Sequence, residues 1–194
     1  DWQHVVDYPW LGGTFVWTGF DYRGEPTPFG WPCVSSHFGI MDVCGFPKDG
    51  YYAYKAAWQS EPRVHVFPHW NMDDMKGETV RMGVYTNCER VELIVNGKSQ
   101  GVKSGKPSER LEWNVVYQPG RVEVRGYNGK KMVAREIQET AGPARQIVIE
   151  PDVRSIVADG KDLVVMNLTL LDEKGRFVPN ANHLIDFEVK GPGR

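Results

Sequence analysis

The 194-residue chain predicts a mainly β protein that opens on one α/β unit and continues as immunoglobulin-like sandwiches. Three observations carry that expectation. Residues 1–60 hold two stretches of helical character on either side of an apolar run rich in β-branched and aromatic residues. From Arg63 the pattern changes to short runs of alternating polarity. Asn-Gly pairs and other turn residues separate those runs at the close intervals of a sandwich.

In chain order, residues 2–10 read as the last turns of a helix, stopped by Pro9 and then by Gly12 and Gly13. TFVWTGF, residues 14–20, is apolar on both faces apart from its threonines, which suits a strand covered on both sides as in a parallel sheet. A long stretch of little periodicity follows, from Asp21 to Phe46. PKDGYYAYKAAWQSEP then reads as a helix: Pro47 and Asp49 suit its first turn, Tyr51, Tyr54 and Trp58 recur at helical spacing as core contacts, and Pro62 lies past its end.

Seven runs follow as strands: RVHVF, TVRMGVY, RVELIV, SQGVK, ERLEWNV, GRVEVRGY and MVAREIQE. In the sixth, Val122 and Val124 point one way while Arg121, Glu123 and Arg125 point the other, the pattern of a sheet with one wet face. Asn96-Gly97 and Asn128-Gly129 predict type I′ hairpin turns, because both residue types tolerate positive φ. TAGPA, residues 140–144, reads as a linker, and RQIVIEP, DLVVMNLTLLD, RFVP and HLIDFEV as four strands of a second, incomplete sandwich, with Glu173-Lys174-Gly175 as a turn. The expected domains are 1–60, 61–141 and 142–194, in a sequence cut at both ends.

A net charge of −2, with 23 basic and 25 acidic residues intermixed, offers no footprint for nucleic acid or an anionic membrane. No apolar run approaches the roughly 20 residues that span a bilayer. Residues 1–30 lack the pattern of a signal peptide. Cys33, Cys44 and Cys88 are odd in number and not in CxxC spacing, so buried thiols are expected, with a Cys33–Cys44 bridge as the alternative. His37, His65 and His69 form no ligand cluster, so no metal site is expected and the histidines read as structural. Asn167-Leu168-Thr169 matches a glycosylation acceptor by chance, inside a strand.

GTFVWTGFDYRGEPTPFGWP followed by SSHFGIMDVCGFPKDGYYAYKAAW resembles the end of the catalytic barrel of glycoside hydrolase family 2, bacterial β-galactosidase type. PHWN with VYTNCERVELIVNGKSQG resembles the sandwich that follows that barrel, and ADGKDLVVMNLTLLDEKGRFVPNA the next immunoglobulin-like domain. The resemblance spans nearly the whole chain, although MDDMKGE after PHWN, and Cys33 and Cys44, depart from the usual pattern. It implies that residues 1–60 are the last strand and helix of a (β/α)8 barrel, with TFVWTGF as the eighth strand. The substrate of such a barrel lies at the C-terminal ends of its strands.

The resemblance further implies retaining hydrolysis of a terminal β-galactoside by two glutamates, an acid and a nucleophile, on earlier strands absent here. It implies no cofactor, the rest of the parent barrel as partner, and a periplasmic or secreted protein. Within this chain the expected substrate contacts are Trp17, near the strand exit where an aromatic plate packs against a sugar, then Asp21, Trp31 and Glu25 in the loop. Each has a plainer role: core packing for Trp17, backbone hydrogen bonds for Asp21, and loop shaping for Glu25 and Trp31. A parent acting on glucuronides or mannosides is one alternative, and a non-catalytic carbohydrate-binding sandwich is another.

Overall fold

Alternating burial along seven strands builds the first sandwich. β1 (Val64–Phe67), β2 (Thr79–Thr86) and β5 (Leu111–Val116) form one sheet in the order β1-β2-β5. β3 (Arg90–Val95), β4 (Lys98–Lys103), β6 (Arg121–Asn128) and β7 (Lys131–Glu139) form the other, in the order β4-β3-β6-β7. All seven runs expected as strands are strands. The structure, a computed structural model, describes residues 2–107 and 109–191.

The inner faces meet in one core. Val66, Met82, Val84, Val91, Leu93, Val122 and Val124 are fully buried. Trp70 of the PHWN stretch, 1% exposed, closes this core with Tyr117; their ring centroids lie 4.7 Å apart. The Trp70 indole Nε1 donates to the Gln118 carbonyl at 3.1 Å, and the Met72 amide donates to the Tyr117 hydroxyl at 3.1 Å. Burying two large aromatics with their polar atoms paired avoids the cost of an unmet donor.

Gly83 faces Phe67 across the β1–β2 ladder, and a Cβ there would lie 2.5 Å from the Phe67 ring. The glycine lets the ring lie flat over the strand. Asn96-Gly97 forms the expected turn, with φ of 49° and 79°. Asn128-Gly129 does not. Asn128 is the last residue of β6, the loop is Gly129-Lys130, and only the glycine has positive φ (57°). Glycine at the first loop position suits a II′ turn, so the hairpin is displaced by one residue from the expected one.

Two helices precede the sandwich: α1 (Trp2–Asp7) and α2 (Asp49–Trp58). α2 is held to the strands through His65 of β1, whose Nε2 lies 2.9 Å from the Asp49 carboxylate and whose ring stacks on Tyr52 at 3.7 Å. Glu136 of β7 stands 3.7 Å from the other ring nitrogen. The expectation of Tyr51, Tyr54 and Trp58 as core contacts is corrected. Only Ala56 of α2 is buried, and Trp58 is 55% exposed, meeting Trp2 edge-on at 5.4 Å. The helix rests on the strands along a different line from its aromatic stripe.

The chain divides into two compact units, Asp1–Gln138 and Glu139–Arg194. In the second, β8 (Ala144–Pro151) pairs antiparallel with β9 (Met166–Asp172), placing Ile147 opposite Leu170 and Ile149 opposite Leu168. Asp172 shapes the turn after β9: its carboxylate accepts from the amides of Lys174, Arg176 and Gly142 and from the Arg176 guanidinium. Burial alone would raise the Asp172 carboxyl, but these donors hold it far below the carboxylate range. RFVP contributes one isolated bridge, Leu171 with Phe177, and HLIDFEV forms no strand among the described residues. Leu184, Phe187 and Val189 are 89%, 77% and 71% exposed, so the apolar alternation of this segment finds no ladder to join.

Candidate functional site

The stretch from Thr14 to Lys48 folds without regular strands, and the expected strand at residues 14–20 is corrected in that respect. A strand needs a ladder partner on at least one side. Within residues 14–20 only Phe20 has one, a parallel bridge to Met41. Phe15 is fully exposed and Trp17 is 75% exposed, so the apolar faces that suggested a buried strand are bare in this chain.

Beyond residue 17 the loop doubles back on itself. The amides of Ile40 and Met41 donate to the carbonyls of Thr18 and Gly19 at 3.0 Å, and Asp21 N donates to Met41 O at 2.9 Å. Ser36 N donates to Tyr22 O, and Gly24 N to Val34 O, both at 2.8 Å. Asp21 lies at the centre of these crossings and is 8% exposed. Its carboxylate accepts from the Gly39 amide at 2.7 Å and from Lys48 Nζ at 2.8 Å. Burial by itself would raise the Asp21 carboxyl; the bonds from Lys48 and Gly39 outweigh it and hold it below its ordinary value. Gly39 admits no side chain, since a Cβ there would stand 2.2 Å from the Asp21 amide nitrogen.

Asp21 is therefore placed as the tie of the loop, in the plainer of its two expected roles. Lys48, which carries the other end of that tie and also donates to the His37 carbonyl at 2.8 Å, had no assigned role in the sequence. The signal was present in PKDG, where a lysine sits directly before a helix. Replacing Asp21 with Ala is expected to raise the amide exchange rates of Gly39 and Tyr22 while leaving those of β3 and β6 unchanged. Equal exchange at Gly39 in both proteins would show that the carboxylate does not hold the loop.

The outer surface of this loop is aromatic. Trp17 meets Tyr22 edge-on at 6.5 Å, and Tyr22 meets Phe38 at 5.7 Å. The Tyr22 hydroxyl donates to the exposed Glu25 carboxylate, and that bond raises the phenol above its ordinary value. Trp17, Tyr22, Phe38 and Glu25 thus form one patch, whereas Trp31, 87% exposed, makes no ring contact among the described residues. Aromatic faces flanked by an acceptor suit the C–H face and hydroxyls of a sugar.

The expectation of buried thiols holds for Cys88 and is corrected for Cys33 and Cys44. All three thiols are free; Cys88 is buried, Cys33 is half-buried and Cys44 is exposed. Cys33 Sγ lies 3.1 Å from His37 Nε2, which gives that histidine a local partner. No group of three or more metal-ligating side chains occurs among the described residues.

Residues 77–134 match the model of a domain of unknown function (DUF4982), and residues 147–194 match glycoside hydrolase family 2 C-terminal domain 5. The chain is 47% identical over 192 residues to the β-galactosidase BoGH2A of Bacteroides ovatus, covering 97% of this chain and 22% of that protein. It is 31% identical over 172 residues to a β-glucuronidase of Formosa agariphila, covering 85% of this chain and 17% of that one. Among solved structures, a β-glycosidase from Bacteroides vulgatus superposes with a TM-score of 0.83 at 35% identity, over 92% of this chain and 23% of that one. The chain thus spans about a fifth of the length of relatives it matches from end to end. On sequence and on fold together, the chain belongs to glycoside hydrolase family 2.

Proposed function

We propose that these residues are part of a retaining glycosidase acting on a terminal β-linked sugar, most directly a β-galactoside. Residues 1–60 supply the end of its barrel, 61–141 an immunoglobulin-like sandwich, and 142–194 part of another. Trp17 forms an aromatic wall of the sugar pocket, with Glu25 in the same patch, Trp31 exposed elsewhere on the loop to meet a further part of the substrate, and Asp21 fixing the loop from within. The acid and the nucleophile come from glutamates outside these residues. Asp21 accepts from Lys48 and Gly39, and Glu25 from Tyr22, roles that shape the loop.

The observation that carries this reading is the exposure of Trp17 beside a loop whose backbone is tied down by Asp21. A bare indole on a rigid support is what a neighbouring barrel strand and a sugar would both cover. The 47% identity to a β-galactosidase favours a galactoside. The likeness to a β-glucuronidase supports a second reading, in which the same wall serves a β-glucuronide.

The test uses the 194-residue chain and the full-length protein with chromogenic β-galactoside and β-glucuronide. The full-length protein is expected to hydrolyse the galactoside and the isolated chain neither substrate. Trp17→Ala in the full-length protein is expected to lower kcat/KM by about 10- to 100-fold, the loss of one stacked aromatic. Hydrolysis of the glucuronide alone would install the second reading. Turnover by the purified short chain would overturn the assignment of the missing acids.

A further inference from the structure

Two carboxylates of the first sandwich lie at least partly buried and differ in what meets them. Glu123 of β6, on the face expected to be wet, is 6% exposed. It accepts from three guanidinium groups: Arg125 Nε at 2.6 Å, Arg135 Nε at 2.8 Å and Arg121 Nη2 at 3.2 Å. Glu136 of β7 has no guanidinium partner among the described residues; the charged group that meets it is the His65 ring, whose Nδ1 stands 3.7 Å away. The other ring nitrogen, Nε2, lies 2.9 Å from the Asp49 carboxylate. One imidazole of β1 therefore stands between a carboxylate of α2 and a carboxylate of β7.

The ring is held by its faces. Tyr52 stacks on it with the planes 13° apart, and Phe67 lies 5.7 Å away along the strand. Tyr85 of β2 is opposite His65 on the β1–β2 ladder, and the Arg110–Glu112 pair, itself closed at 2.7 Å, stands near Tyr85. The titratable groups that face the imidazole are thus Asp49 and Tyr52 of α2, with Tyr51 against Tyr52, Tyr85 of β2 and Glu136 of β7. Burial raises both the Tyr52 and the Tyr85 phenol, so neither carries charge near neutrality. A neutral imidazole has one N–H and can donate to one of the two carboxylates, leaving a lone pair aimed at the other; an imidazolium has two and serves both. Burial also raises the Glu136 carboxyl, with Asp49 adding to it, and His65 and the Val66 amide offset only part. An imidazole and a carboxyl this close take up and release protons as one site.

We infer that Asp49, His65 and Glu136 form a proton-operated latch that holds α2 to the first sandwich in mild acid and slackens as pH rises from about 5 to 8. A proton on the ring lets it bridge both carboxylates, and one on Glu136 removes the charge the ring must otherwise meet. When both have left, a half-buried carboxylate faces an imidazole lone pair, and the contact between β7, β1 and α2 loses a charge-assisted bond. Asp49 adjoins Lys48, which ties the preceding loop to Asp21, so the latch acts at the base of the loop that carries Trp17. It does not depend on which sugar that loop meets.

The test is amide hydrogen exchange of the 194-residue chain at pH 5 and pH 8, each rate divided by the intrinsic rate at that pH. Protection of Ala56 and Ala57 in α2, taken relative to Leu93 in β3, is expected to fall about three- to tenfold from pH 5 to pH 8, the loss of one charge-assisted bond at a half-exposed site. Glu136→Gln keeps the shape without the charge and is expected to hold most of that protection at pH 8. His65→Phe keeps a ring against Tyr52 and removes the proton, so its relative protection should be the same at both pH values. Native Val122 and Val124 methyl signals serve as the check that each variant is folded. Equal relative protection of α2 at pH 5 and pH 8 in the wild type would overturn the latch, as would a fall of wild-type size in either variant.

Discussion

Trp70→Ala is expected to lower the unfolding free energy of the first unit by about 3–5 kcal/mol. The indole is 1% exposed, packs on Tyr117 and donates to the Gln118 carbonyl. Removing it opens a cavity between the two sheets and leaves that carbonyl without its indole donor. The Tyr117 hydroxyl, which receives the Met72 amide, loses the ring that positions it. Urea denaturation of the 194-residue chain, followed by β-sheet circular dichroism, measures the change. Trp10→Ala is the control, since Trp10 is 77% exposed and its loss should move stability by less than about 0.5 kcal/mol. A change below about 1 kcal/mol for Trp70→Ala would show that PHWN is not part of the core.

The contrast between Trp70 and Trp17 shows what was legible in the sequence. Trp70 lies next to a run of alternating strands whose partners are all in the chain, so period-two burial sufficed to place the core around it. The seven strands and the Asn96-Gly97 turn were legible for the same local reason. Trp17 lies in a run whose pattern signals burial, yet Trp17 is 75% exposed and Phe15 fully so. A pattern records the environment in which a segment evolved, and the ladder that completes it is a non-local fact.

The tie between Asp21, Gly39 and Lys48 was invisible for a related reason. It joins residues 18 and 27 positions apart through a carboxylate, and no periodicity marks such a contact. The exposed aromatic patch of the candidate site was legible as chemistry through Trp17 and Glu25, but its linkage through Tyr22 and Phe38, and the separation of Trp31 from it, needed coordinates. In the second unit RFVP pairs only through the Leu171–Phe177 bridge, and HLIDFEV carries strand-like alternation without joining a strand among the described residues, the same failure as at Trp17.

Glu123→Gln is expected to cost about 2–3 kcal/mol at pH 7, less than a fully buried pair because the three arginine side chains are 37–44% exposed. The variant leaves three guanidinium groups converging on a neutral amide. Hydrogen bonds from Arg135 and Arg125 hold the Glu123 carboxyl down from 4.5 to about 2, against the effect of burial. A carboxyl lowered on folding contributes stability that is present above its unfolded value and is lost as pH falls through the folded one. The wild-type chain should therefore lose stability between pH 4.5 and about 2 through this group, and Glu123→Gln should flatten the curve in that window.

Glu136, on the neighbouring strand β7, works in the opposite sense. Its carboxyl is raised, first by burial and only partly offset by His65, so its contribution is full at low pH and is lost as pH rises through the raised value. Glu136→Gln should accordingly make the protein more stable at neutral pH, provided the Asp49–His65 contact persists. Two carboxylates of one sandwich thus respond to acid with opposite signs, because one has guanidinium donors and the other mainly desolvation. Thermal unfolding of both variants from pH 2 to 8, followed by the Val124 methyl signal, separates them. Parallel pH profiles for Glu123→Gln and the wild type would show that the arginine cluster does not hold a charged Glu123.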